Sequence, residues 1–128
     1  MEKIERRKHP RVEVFDPISY LCIDSKGNLS DQNIAVALNV SQNGIQIESF
    51  FEIHSEYVML RFADLDKSTI EIRGKVIYCT KNESGIFKIG IRLQGTQDEN
   101  VQFVKKLIKF YYHNKQKFRQ GTLETIQL

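Results

Sequence analysis

Residues 34–50 read IAVALNVSQNGIQIESF. On both sides of Asn43-Gly44 the apolar side chains recur at every second residue, the period of a strand whose two faces meet different surroundings. Asn-Gly between two such runs is the strongest hairpin signal in the chain, because a type I′ turn needs two residues that tolerate positive φ. Strands are therefore predicted at 34–41 and 44–50. In the first, the even positions Ile34, Val36, Leu38 and Val40 are apolar, while Ala35, Ala37, Asn39 and Ser41 occupy the odd ones. Asn39 and Ser41 then share the outer face, where small neighbours leave room for a flat ligand.

Moving outward, the period of two persists from Ile18 to Leu93. Turn signals interrupt it at Ser25-Lys26-Gly27-Asn28, Asp64-Leu65-Asp66 and Lys81-Asn82-Glu83-Ser84-Gly85. Six strands follow, near 18–23, 34–41, 44–50, 57–63, 69–80 and 86–93, the pattern of a mainly β protein built as a small antiparallel barrel. In the last strand Phe87, Ile89, Ile91 and Leu93 point one way, and Lys88, Gly90 and Arg92 the other. That outer face is either flat, positive space for a ligand, with Arg92 at its periphery, or a plain exposed surface with a weakening glycine.

After Gly95, Thr96-Gln97-Asp98-Glu99 has the form of a capping box, with acids in the first turn and lysines beyond. A helix is predicted to start there. Its stripe of Val101, Val104, Leu107, Ile108 and Tyr111 suits packing on the barrel, with Gln102, Lys105, Lys106 and Lys109 facing away. The domain plan is an arm at 1–17, a barrel at 18–94, a helix at 95–113 and a loose tail at 114–128.

The arm carries Arg6-Arg7-Lys8-His9-Pro10-Arg11. Pro10 lacks a backbone donor and biases His9 toward extended geometry, so Arg7 and Arg11 lie on one side of an extended segment, at most about 13 Å apart. Planar guanidinium groups fork onto phosphate oxygens or onto the O6/N7 edge of guanine. The bland alternative is a solvated basic tail. For Asn39 and Ser41 the alternative is a turn-capping role, in which they bond only local backbone.

Composition bounds the function. With 128 residues, 41% hydrophobic and 27% charged, the chain reads as one soluble globular domain. Nothing approaches the roughly 20 apolar residues of a membrane span, and Met1-Glu2-Lys3-Ile4-Glu5 lacks the apolar core of a signal peptide, so a cytoplasmic location is expected. Cys22 and Cys79 sit in apolar strand contexts and read as reduced thiols in or near the core. His9, His54 and His113 are too scattered for a metal-ligand set, and no cofactor is expected. Residues 1–11 carry five basic and two acidic side chains, residues 12–97 eight and eleven, and residues 101–119 six and none. Both ends suit anionic partners.

Arg7-x-x-x-Arg11 followed by Asn39-x-Ser41-x-x-Gly44 resembles the paired signature of PilZ domains, RxxxR and [D/N]xSxxG. Each motif alone is common; their order and spacing together are specific. The resemblance implies a six-stranded antiparallel PilZ-like barrel with an N-terminal arm and a C-terminal helix, and a receptor for the bacterial second messenger cyclic di-GMP. It assigns ligand contact to Arg7, Arg11, Asn39, Ser41 and Gly44. Arg6, the residue before RxxxR, stands where PilZ-like proteins influence whether one ligand or an intercalated pair is held, and its planar cation can stack on a purine.

The sequence thus favours a binding module over an enzyme, since no nucleophile with a base, paired carboxylates or metal site is visible. Cyclic di-GMP and a downstream protein are the expected partners, without stable membrane insertion. The alternatives are a PilZ-fold adaptor that binds protein without nucleotide, and a small basic nucleic-acid binder. The arginines do not interleave with aromatics, which argues against the last.

Overall fold

The computed structural model describes the backbone of residues 11–127 and the side chains of residues 11–115. Strands β1 (Val12–Ile23), β2 (Asn33–Val40), β3 (Gly44–Ser49), β4 (Tyr57–Ala63), β5 (Thr69–Lys81) and β6 (Phe87–Leu93) precede a single helix, α1 (Gln97–Gln127). All neighbouring strands are antiparallel. They close into a barrel in the order β1-β2-β3-β6-β5-β4.

The interior is filled by alternate residues of every strand, among them Ile18, Ala37, Val40, Ile45, Ile47, Val58, Leu60, Ile89 and Ile91. Burying each larger aliphatic side chain contributes about 1.5–3 kcal/mol. The helix adds Phe103, Val104 and Leu107 to the same core, with the Phe103 ring edge-on to Phe62 at 5.4 Å between centroids. So Val104, Leu107, Ile108 and Tyr111 of the expected stripe pack on the barrel, joined by Phe103 and Phe110, which the sequence reading left out, while Val101 lies outside the core cluster. The capping box forms as expected: Glu99 Oε1 accepts from the Thr96 amide at 2.8 Å and Thr96 Oγ1 from the Glu99 amide at 3.2 Å. Cys22 and Cys79 are free thiols, half-buried against the core.

Two element limits differ from the sequence expectation. The first strand begins at Val12 rather than 18, so residues 12–17 belong to the barrel wall. Pro17 is tolerated inside it because the ladder to β4 covers only Ser19–Ile23, and on that side residue 17 has no partner strand to satisfy. The helix continues through Gln127 instead of giving way to a loose tail after 113. Its second half has no proline, and its lysines, glutamines and arginine are good helix formers that outweigh the cost of Gly121.

The β2–β3 hairpin also departs from the type I′ reading. Left-handed glycines fall at Gly27 (φ 87°) and Gly85 (φ 85°), in two of the other predicted turns, and neither Asn43 nor Gly44 has positive φ. Instead Ser41–Asn43 forms a three-residue loop, closed by the Ser41 amide donating to the Gly44 carbonyl at 2.8 Å. The Asn43 carbonyl accepts from the Leu93 amide at 2.8 Å, which ties the loop to β6 and fixes its path.

Candidate functional site

Register assembles the site. Glu13 pairs with Asn39, Asn39 with Gln46, Gln46 with Gly90 and Gly90 with Tyr78, giving one transverse row over β1, β2, β3, β6 and β5. Two irregularities put the polar members of that row on the outside. In β2, Ala37 faces Ile47 and Asn39 faces Gln46, so Leu38 is an extra residue. In β5, Val76 faces Ile91 and Tyr78 faces Gly90, so Ile77 is extra.

The first bulge corrects the expectation for the surroundings of Asn39. Ala35 and Ala37 are buried, while Ile34 is 63% exposed, the reverse of the alternation read from the sequence. Strict alternation from Ala37 would send Asn39 inward; the extra Leu38 resets the phase and turns it out, with Val40 going into the core. The small outer neighbours expected beside Asn39 therefore do not exist, and Ile34 and Val36 occupy the outer positions.

A lateral chain of hydrogen bonds ties the row together. Arg11 Nη1 donates to Asn39 Oδ1 at 2.6 Å, Asn39 Nδ2 to Gln46 Oε1 at 2.9 Å, and Gln46 Nε2 to the Tyr78 hydroxyl at 2.7 Å. The Asn39 amide is thus committed across the sheet and not to local backbone, which sets aside the turn-capping alternative for this residue. Tyr78 lies over Gly90: a β-carbon added there would overlap the Cδ2, Cε2 and Cζ side of the ring. The flat space expected between Lys88 and Arg92 is not open to a ligand, because the Tyr78 ring fills it and buries Gly90.

Two concavities flank the chain of bonds. One, of about 240 Å³, is lined by Ser41, Gly44 and Arg92 together with Arg11, Gln46 and Tyr78. The other, of about 390 Å³, is lined by Arg11, Glu13, Asn39, Gln46 and Tyr78. The structure therefore brings Arg11, Asn39, Ser41, Gly44 and Arg92 to one region of the outer face; Arg6 and Arg7 lie outside the described residues. Gly44 serves close approach, since a β-carbon there would stand 3.2 Å from the Ile91 carbonyl oxygen.

Gln46 and Tyr78 were missed by sequence reasoning. Gln46 carried a signal, an outward parity two residues after Asn-Gly. Tyr78 carried none, because strict alternation from buried Ile72 and Gly74 sends it inward and only the extra Ile77 exposes it.

Another titratable group lies close by in sequence. Asp16, three residues beyond Glu13, is 2% exposed, its Oδ2 lacks a hydrogen-bond partner, and burial pushes its carboxyl up to about 6. Among the described residues no group of three or more His, Cys, Asp or Glu side chains is placed to hold a metal ion. No helix among them is long and apolar enough to cross a membrane.

Known proteins place this architecture. The PilZ domain of YcgR from Escherichia coli, solved with c-di-GMP, superposes with a TM-score of 0.62 at 8% identity, covering 90% of this chain and 98% of that one. The Bacillus subtilis inhibitor of motility MotI/DgrA gives 0.57 at 16% identity over 81% of this chain and 50% of its own. The K. pneumonia MrkH–c-di-GMP complex gives 0.55 at 14% over 88% and 55%. The chain thus spans about half the length of MotI/DgrA and MrkH. At these identities the likeness carries the fold. Among curated proteins none matches in sequence. The model of the PilZ domain matches residues 5–112, which is most of the chain, and the protein belongs to the PilZ domain family.

Proposed function

We propose that this protein is a cyclic di-GMP receptor that captures its ligand on the outer face of β2, β3, β6 and β5, with the arginine arm closing over it. The observation that carries the reading is the 2.6 Å bond from Arg11 to Asn39, which joins one residue of each family motif on one exposed face. Cyclic di-GMP is a dianion with two guanine edges. Arg11, Arg92 and the arm supply cations for phosphate and for guanine O6/N7, and the Asn39 amide and Ser41 hydroxyl supply donors and acceptors for a base edge. The function is binding and carries no chemical step; its output is a changed surface for a downstream protein in the bacterial cytoplasm.

Capture has a built-in exchange. Arg11 and Gln46 already satisfy both ends of the Asn39 amide, so the ligand takes over bonds that the protein makes with itself, and the arm is re-aimed as Arg11 changes partner. The competing reading, an adaptor of the same fold that binds protein without nucleotide, draws on the exposed Phe15, Ile34, Phe50 and Phe51. Calorimetric titration with cyclic di-GMP, with GTP and a linear dinucleotide as controls, separates the two. Saturable heat with the cyclic ligand alone is the expected result. Silence in calorimetry and in amide chemical shifts at near-millimolar ligand leaves the adaptor.

A further inference from the structure

We propose that Tyr78 is the stacking surface of the site, a ring laid on Gly90 and latched by Gln46 so that its open face receives a purine base. The inference rests on the nucleotide reading above and adds to it a binding residue from β5, a strand that contributes neither family motif.

Several independent features converge on this ring. The Ile77 bulge turns Tyr78 out of the barrel at the one register position, opposite Gly90, where the neighbouring strand has no side chain. The absence of a β-carbon is needed there, since the ring fills the space that one would occupy. The hydroxyl accepts from Gln46 at 2.7 Å, which fixes the far end of the ring and keeps it against the sheet. The residue remains 41% exposed and borders both concavities, as do Arg11 and Gln46. A tyrosine free to wander would settle over nearby apolar surface. This one is held on one side by backbone and at its tip by an amide, so it presents a preformed flat surface at little ordering cost. Cations border it, with Arg11 and Arg92 lining the same hollow. A ring beside guanidinium groups suits a purine attached to phosphate, the base on the ring and the charge on the arginines.

The test uses the full chain and cyclic di-GMP. Tyr78→Ala should weaken binding roughly ten- to a hundred-fold, the worth of one base–aromatic stack. Tyr78→Phe, which keeps the ring and loses only the latch, should stay within about three-fold of wild type. Gly90→Ala should weaken binding like Tyr78→Ala, because its methyl group pushes the ring off its bed without altering Tyr78 itself. A purely structural role would not move the second readout: ring-current shifts of the guanine H8 resonance, expected with wild type and Tyr78→Phe and lost with Tyr78→Ala. Wild-type binding with unchanged affinity and unchanged H8 shifts in Tyr78→Ala overturns the stacking role and leaves the receptor reading standing. If the wild type itself fails to bind, both fall. Should Gly90→Ala not fold, the Tyr78 pair decides alone.

Discussion

Arg11 and Asn39, 28 residues apart in sequence, meet at 2.6 Å on the outer face of the barrel, and the amide whose oxygen accepts from the arginine donates through its nitrogen to Gln46. The two halves of the family signature are therefore in contact through their side chains. An effect on either one is expected to be felt at the other.

Removing the arginines tests the core of the binding model. Arg11→Ala and Arg7→Ala are each expected to cost about 1.5–3 kcal/mol in cyclic di-GMP affinity, about ten- to a hundred-fold, with little change in thermal midpoint. Titration of both variants against wild type checks this; wild-type affinity in both would mean that the arm is a solvated tail.

Asn39→Ala and Ser41→Ala should weaken binding while leaving the fold near its wild-type stability, because both residues belong to the outer surface and not to the core. For Asn39 the structure adds a coupling. A double-mutant cycle with Arg11→Ala should be non-additive, since each residue's polar groups are engaged by the other. Additive losses would show that the 2.6 Å bond is energetically silent in ligand capture.

Gly44→Val should destabilise the protein, and the reason is contact, not backbone conformation. The added β-carbon would stand 3.2 Å from the Ile91 carbonyl oxygen, an atom held in the β3–β6 ladder. A loss of about 1–3 kcal/mol is expected, visible as a thermal midpoint lowered by several degrees. Gly44→Ala should show a smaller loss, and equal midpoints for Val and wild type would count against this account.

The buried Asp16 carboxyl makes stability depend on pH in a defined sense. Its folded pKa of about 6 lies above its ordinary value of 3.8, so the native state holds the proton more tightly than the unfolded chain. Its contribution is fully present below about pH 4, declines as pH rises through about 6, and is gone above that. Between those limits wild type should lose about 2–3 kcal/mol from this group, and Asp16→Asn should remove that part of the slope. Urea unfolding at pH 4.5 and 7.5 for both proteins checks it; parallel pH profiles would place the titration elsewhere.

Arg6 bears on stoichiometry. Two cyclic di-GMP molecules per chain are expected at saturation, with Arg6→Leu moving the endpoint toward one, because a short aliphatic residue cannot stack on a purine face. A wild-type endpoint of one, unchanged in the variant, would assign Arg6 no such role.

The strand and helix positions were legible because period two and the capping box are local signals that tertiary packing happened to reinforce. What was hidden was phase. Leu38 and Ile77 are ordinary strand residues, and nothing in their chemistry announces that each is an extra member opposite a gap in the pairing. From Leu38 followed the mistaken faces of Ile34 and Ala37. From Ile77 followed the failure to see Tyr78, while Asn39 was placed outward for a reason that does not hold, its parity with Ala35 and Ala37. The missing type I′ turn has a similar origin: Asn-Gly permits positive φ, but the bond from Leu93 to the Asn43 carbonyl selects another path. The first strand starts earlier than the period of two suggested, and it holds Pro17 because β4 does not pair with that part of the strand.

Pro17 carries one more consequence. A closed cylinder offers no long sheet edge, but within β1 the stretch Val12 to Ile18 pairs with β2 alone, because the ladder to β4 covers only Ser19–Ile23. An unpaired strand edge is where a stray strand from another molecule would zip on and seed aggregation. Pro17, one residue from the end of that stretch, has no N–H and cannot complete such a ladder. Pro17 thus keeps the part of β1 that β4 leaves unpaired from recruiting a neighbouring chain.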